Sequence, residues 1–506
     1  MFELRSGWAW SWIAIGAGLL WLFRAGAIGL PVGVPVVAVG VILLSGGVSL
    51  LLWPGDRRAT EWTALVGLVG GLLGLLTALL AGSLAALGLG ASAIAAAWAA
   101  GRIALDLEPR PADVPEPEPS LALSAKVALD DVLLGYELAI RGRMFTGREV
   151  DRVIEEVDDC RALFERQGFL DRPETYHQAP PPLVSPRTET RRIAGHAVEV
   201  LRFESGYAPR EGEPGRARWL ANPGCRDAFA YVLRGGNVLR GGNVPHSGEA
   251  GRPWLVCTNG YRMGYAAIDV RVFERFATQL GVNVLIPVLP LHGPRRKSVH
   301  SGTGFLGLDV IDTLHAEAQA VWDIRRLLGW IRTQEPKAVG AFGLSLGGYT
   351  TALYSSLEDG LDCVVLGIPL ADVTRLLVRH AVPEQLQLAL QRGYSLERVR
   401  EVLRVVSPLA IAPRAPAAGR LMFGAVADRL VTPDQVRDLW RHWGEPEIVW
   451  YQGGHVTFRV ERAVFAAIDR KLEASGLVGR DIRARGQRAG PVAATPGPPG
   501  REERPA

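Results

Sequence analysis

This sequence predicts an α/β protein, a mostly parallel sheet covered by helices and preceded by an all-α membrane part. Three observations lead there. From about residue 188 to residue 477, short β-rich runs alternate with longer helical patterns, as crossovers between parallel strands require. One of those strands ends in a Gly-x-Ser-x-Gly turn that passes at once into a helical pattern. And from Trp8 to Gly101 the chain is almost wholly Ala, Gly, Leu, Val, Ile and Trp, although 56 basic and 52 acidic residues occur among the 506.

Crossing a bilayer takes about 20 predominantly apolar residues, because backbone groups find no partners in hydrocarbon. Trp8 to Leu30, Pro31 to Trp53 and Trp62 to Ala81 meet that length, and Leu84 to Ala100, shorter and richer in alanine, is a fourth candidate. Residues 1–102 are therefore expected to be transmembrane helices, four spans on this count. Trp8, Trp10, Trp53 and Trp62 stand near span ends, where indoles favour the headgroup layer. A cleaved signal peptide does not account for four successive runs, and a buried bundle sits badly with so little charge. With four spans, Arg5, the Arg57-Arg58 pair and Arg102 share one side. The positive-inside rule makes that side cytoplasmic, and the catalytic part follows it there; three spans would reverse the side. Arg24, near the outer end of the first span, is expected to snorkel.

Residues 103–120 carry LEPRPADVPEPEPS, where alternating proline and acid resist helix and suit a stiff linker. Residues 121–187 read as a helical lead-in. Val127, Val132, Leu133, Leu138 and Ile140 form one apolar group, Val150, Val153, Ile154 and Val157 another, with the acids and arginines between them as a solvated face. Between Leu233 and Val244 the unit LRGGNV occurs twice, which suggests an expanded surface loop. Residues 478–506, rich in Arg, Gly, Pro and Ala, are expected to be disordered. A net charge of +4 gives no case for nucleic acid. Cys160, Cys225, Cys257 and Cys363 are scattered and read as free core thiols.

Within 188–477 the runs are taken in order. Arg191 to Phe203 and Arg216 to Leu220 are expected as leading antiparallel strands. Trp254 to Thr258, Asn283 to Val288, Ala338 to Phe342, Cys363 to Leu366, Arg420 to Gly424 and Glu447 to Tyr451 are later strands. Helical patterns at Asp269 to Leu280, Leu314 to Gln334, Tyr349 to Leu357 and Pro433 to Trp443 separate most of them.

The chemistry centres on Gly343-Leu344-Ser345-Leu346-Gly347-Gly348. A strand that turns sharply into a helix strains the serine backbone and leaves no room for flanking side chains, hence the glycines. The following helix N-terminus points its dipole at an oxyanion. A serine hydroxyl is a poor nucleophile until a base takes its proton, so an acid and a histidine are expected downstream. Asp428, in Ala427-Asp428-Arg429-Leu430-Val431, follows one strand, and His455, in Gln452-Gly453-Gly454-His455, follows the next. In those roles His455 relays the proton and Asp428 fixes its tautomer. The bland readings are chance co-occurrence of glycine and serine, a structural histidine and a loop-capping carboxylate. Asp372 is an alternative acid, in the loop after Cys363 to Leu366; Asp434 looks like a helix N-terminal charge.

Through GLSLGG, ADRLVTP and the final GGH, the chain over roughly Thr188 to Leu477 resembles the α/β-hydrolase superfamily of serine hydrolases, its esterases and lipases in particular. The resemblance implies an eight-stranded, mostly parallel sheet with helices on both faces. It also implies an oxyanion hole from the N–H groups of Leu346 and Tyr261, although Asn259-Gly260 stands where many members have His-Gly. His292-Gly293 falls in the next loop and reads as a structural turn. Residues 371–409 occupy the usual place of a cap; a small helical cap over the acyl pocket and a plain helical excursion are both open. The activity implied is hydrolysis of a carboxylic ester, with a lipid acyl ester suggested by the membrane part. Acyl transfer, peptide hydrolysis and a silent membrane scaffold using the fold for binding are the alternatives. No cofactor is called for, and no metal, since neither H-E-x-x-H nor a His/carboxylate cluster at ligand spacing occurs.

Overall fold

Apolar runs punctuated by capping residues build the first part of the chain, seen in a computed structural model that describes residues 4–26, 33–53, 55–236 and 251–479. Helices α1 (Leu4–Gly26), α2 (Gly33–Leu52), α3 (Arg57–Ala81) and α4 (Leu84–Leu107) pack as a bundle. Asp56 starts α3 by accepting the Arg58 N–H at 3.0 Å, and Ser83 starts α4 by accepting that of Ala86 at 3.2 Å. Among the described residues α2, α3 and α4 are long and apolar enough to cross a membrane. Where α3 meets α4, a Cβ on Gly74 would lie 2.5 Å from the Gly90 Cα, an approach only small residues allow. Leu72, Leu75, Leu76, Leu79 and Leu80 are exposed along α3, a face suited to lipid. α4 continues to Leu107, so the start of the expected linker is helical, held by an Arg102–Asp106 ion pair at 3.0 Å.

Helices α5 (Leu121–Ala139) and α6 (Gly147–Gln167) form the lead-in. Ser120 caps α5, and Thr146 with Glu149 caps α6 reciprocally. α5 is no solvated helix. Its small residues press on the bundle, since a Cβ at Gly135 would meet the Glu61 carbonyl at 2.5 Å and one at Gly101 the Ser124 carbonyl at 2.3 Å. Asp130 and Asp131 are fully buried, which overturns the expected solvated face there.

The sheet has nine strands among the described residues, not eight. They are β1 (Arg187–Ile193), β2 (His196–Glu204), β3 (Asp227–Leu233), β4 (Trp254–Thr258), β5 (Asn283–Val288), β6 (Val339–Leu344), β7 (Cys363–Gly367), β8 (Arg420–Ala425) and β9 (Glu447–Tyr451). Their order is β1-β2-β3-β5-β4-β6-β7-β8-β9, antiparallel over the first three and parallel from β5 to β9. The single strand expected at Arg191 to Phe203 is a hairpin. It turns at Ala194-Gly195, both at positive φ, and pairs Ile193 with His196. The strand expected at Arg216 to Leu220 is instead one helical turn, α7 (Arg216–Leu220), entered through Gly215 at φ 73°. Five residues with one buried apolar side chain, Trp219, satisfy either period, so pattern could not separate them.

Helices α8 (Ala266–Thr278), α9 (Val310–Arg332), α10 (Leu346–Ser355), α11 (Val373–His380), α12 (Pro383–Gln391), α13 (Leu396–Leu403), α14 (Pro433–His442) and α15 (Arg462–Ala474) complete the architecture. α8 and α15 cover one face through Val270, Phe273, Val464 and Ile468. α9, α10 and α14 cover the other through Ile324, Leu328, Tyr349, Leu353 and Leu439. With the elbow at the end of β6, this is the α/β-hydrolase fold. Helices α11 to α13 fill the expected cap segment, where α12 and α13 pack on α6. There Arg392 pairs with Asp151 at 2.5 Å and Arg398 with Asp158 at 2.8 Å. The repeated LRGGNV lies mostly in 237–250, and the tail from residue 480, both outside the described residues.

Candidate active site

Parallel strands align their C-terminal ends along one edge, and residues that follow them in loops converge there. Ser345 follows β6, Asp428 follows β8 and His455 follows β9. Ser345 sits at φ 55° and ψ −117°, a strained conformation for a residue with a side chain. The turn is held by its N–H donating to the Gly367 carbonyl at 3.0 Å and by its own carbonyl accepting the Leu370 N–H at 3.2 Å. A Cβ at Gly343 would meet the Gly347 carbonyl at 2.3 Å, and one at Gly347 the Thr258 carbonyl at 2.2 Å. Both glycines are steric necessities of the elbow.

Asp428 and His455 meet directly. His455 Nδ1 lies 2.6 Å from Asp428 Oδ2, and the pair is buried. Asp428 Oδ1 accepts the N–H groups of Leu430 and Val431 at 2.9 and 2.8 Å, which locks the carboxylate in place. Burial works against an imidazolium here, but the charge and hydrogen bond of Asp428, helped by the charge of Asp130, outweigh it and hold His455 above its ordinary pKa. With Nδ1 engaged as donor, Nε2 is left as the basic nitrogen. Among the described residues neither Ser345 Oγ nor His455 Nε2 carries a hydrogen bond, and the structure does not join the two directly.

The turn Asn259-Gly260-Tyr261 lies against the elbow. A Cβ on Gly260 would be 3.4 Å from the Ser345 Cβ and 3.9 Å from its Oγ. Leu346 opens α10, so its N–H is one of the unpaired donors of a helix start. The Tyr261 ring packs edge-on against His292 at 6.0 Å. His292 is buried, with Nδ1 on the Pro290 carbonyl at 2.9 Å and its pKa pushed down to about 4 by burial, as a neutral structural histidine requires. Asp372 is engaged elsewhere: it accepts the Arg375 N–H as the cap of α11 and pairs with Arg375 at 3.3 Å and Arg400 at 3.7 Å. Asp434 pairs with Arg375 at 2.6 Å.

No family model matches the chain. Two curated proteins of Mycobacterium tuberculosis, "Uncharacterized protein MT2702" and "Uncharacterized protein Rv2627c", are each 40% identical to it over 374 residues, 73% of this chain and 86% of theirs. The chain belongs to their family. Similar solved structures include an acetyl xylan esterase from Paenibacillus sp. R4, with TM-score 0.42 and 15% identity over 60% of this chain and 98% of that one. Another is acetyl xylan esterase 1 from Thermoanaerobacterium sp. JW/SL YS485, with TM-score 0.41 and 16% identity over 61% and 92%.

In this family member, reasoning from sequence missed the contribution of α5 to the edge that carries Asp428 and His455. Asp130 Oδ2 accepts the backbone N–H of His455 at 2.7 Å and of Arg429 at 3.1 Å. Two turns further on, Glu137 pairs with Arg262, beside Tyr261, at 2.7 Å. Asp131 takes the buried Arg429 side chain at 2.9 Å, and Glu108, at the end of α4, takes its other side. Arg429 also reaches Thr60 on α3 at 3.4 Å. One signal existed: the adjacent acids Asp130-Asp131 interrupt an apolar rhythm (VALDDVLL) that a surface helix would carry on its opposite face.

Proposed function

We propose that the chain is a membrane-anchored serine hydrolase that cleaves carboxylic esters through Ser345, His455 and Asp428. The observation that carries this reading is the buried 2.6 Å contact between His455 and Asp428 on the sheet edge where the strained Ser345 also lies. His455 Nε2 takes the Ser345 proton as Oγ attacks the ester carbonyl, and the N–H groups of Leu346 and Tyr261 receive the oxyanion. Asp428 stabilises the imidazolium, which then protonates the leaving alcohol. Water, deprotonated by the same nitrogen, releases the acid from the acyl-enzyme.

Lipid acyl esters are the substrates we favour. Leu129, Leu133 and Tyr136 are exposed on one face of α5, the helix that touches both the catalytic loops and the apolar bundle. Such a stripe suits the bilayer interface and brings the acyl pocket beside it. A cytoplasmic catalytic unit is supported by Arg57 and Arg58, which start α3 on the hydrolase side: Arg57 donates to the Arg379 carbonyl, and Arg58 lies 3.4 Å from Glu384.

The test is labelling of the detergent-solubilised full chain by a fluorophosphonate probe. Wild type labels and Ser345→Ala does not. A folded wild type that stays unlabelled overturns the reading.

A further inference from the structure

Resting on that function, we propose that Asp130, supplied by α5 from outside the hydrolase unit, is a positioning residue for His455, clamping the histidine and acid loops together and adding a second negative charge beside the imidazole. One carboxylate joins two loops that come from different strands. Its Oδ2 accepts the His455 and Arg429 N–H groups, and its Oδ1 faces the Val456 N–H at 3.4 Å. Arg429 directly follows Asp428, so both catalytic partners hang on the same side chain. Packing is tight enough to dictate sequence, because a Cβ on Gly454 would lie 2.6 Å from Asp130 Oδ2. That contact explains the glycine before His455.

A plain helix-packing carboxylate is the simpler alternative, but such a group has no reason to receive donors alone. Both Asp130 oxygens face N–H groups, and a neutral acid would carry a proton without an acceptor. Burial and the charge of Asp428 push the carboxyl up, while the His455 charge and those N–H groups pull it back towards the anion. The surrounding charges are spoken for. Lys126 binds Glu461 at 2.5 Å and the Gln452 carbonyl at 2.8 Å. Asp131 and Glu108 hold the Arg429 side chain, and the Tyr451 hydroxyl donates to the Gly454 carbonyl at 3.0 Å. Among the described residues, Asp428 and His455 are the titratable groups left facing Asp130.

The experiment measures fluorophosphonate labelling rate against pH, with melting curves, on the full chain in detergent. Because neighbouring anions favour the imidazolium, removing one lowers the His455 pKa and moves the acid limb to lower pH. Asp130→Asn is expected to slow labelling about tenfold and to shift that limb down by about one pH unit. Asp130→Ser, smaller but equally neutral, shifts it likewise. Glu137→Gln loosens the same helix two turns away and leaves the limb in place. A labelled wild type whose limb stays put in both neutral, folded variants overturns this inference alone. Failure of both variants to fold assigns Asp130 to stability and overturns it too. A wild type that never labels removes the hydrolase reading and this inference with it.

Discussion

Asp428 uses one oxygen for the backbone of its own loop and the other for His455, so its two tasks are separable by substitution. In Asp428→Asn the amide oxygen still accepts the Leu430 and Val431 N–H groups, but the NH2 confronts His455 Nδ1 with a second donor. The wrong tautomer follows, and labelling of Ser345 is expected to fall about 10³- to 10⁴-fold with the fold intact. Asp372→Asn loses ion pairs with Arg375 and Arg400 while its amide oxygen can still cap α11. Its labelling rate should stay within about threefold of wild type, with stability down by no more than about 1 kcal/mol. The reverse ranking would move the acid to Asp372.

At the scale of elements, α5 is the decisive one. One side carries Ser124, Ala128 and Gly135 against α3 and α4, another carries Asp130 and Glu137 to the loops of His455 and Arg262, and the third is exposed and apolar. Gly135→Leu cannot be housed without moving α5 off the Glu61 carbonyl. Thermal unfolding in detergent should show a loss of about 1–3 kcal/mol, whereas Leu133→Ala on the exposed side changes stability by no more than about 0.5 kcal/mol. The elbow was legible from its letters because Gly343 answers a clash with Gly347 within five residues of chain, whereas Gly347 makes room for the distant Thr258 carbonyl. α7 was not, because a five-residue run satisfies both periods and its choice is made by what packs above it; nor was the β1–β2 hairpin, whose turn at Ala194-Gly195 interrupts a run that reads as one strand.

For the whole molecule, Arg429 is the junction. Its guanidinium is buried among Thr60 on α3, Glu108 just past the end of α4 and Asp131 on α5, all in the N-terminal part. Cutting the chain before residue 121 keeps α5 but removes Glu108 and the packing surface of α3 and α4. Buried charge left without its partners costs several kcal/mol, and the small-residue face of α5 meets water. A chain that begins at residue 121 is therefore expected to aggregate, or to label at less than about a tenth of the full-length rate. A soluble fragment with the full rate would reduce the bundle to a tether.

The letters alone determined the apolar helices, the alternation that builds the sheet, and Ser345, Asp428 and His455 as candidates in that order. Hydropathy over twenty residues and sterics within one turn are local properties, so they can be read locally. Tertiary structure alone decided that the acids of α5 are buried, because their partners lie 325 and 299 residues away at His455 and Arg429. A carboxylate that looks like a solvated surface charge in its own neighbourhood becomes part of the candidate site only when the distant backbone arrives to donate to it.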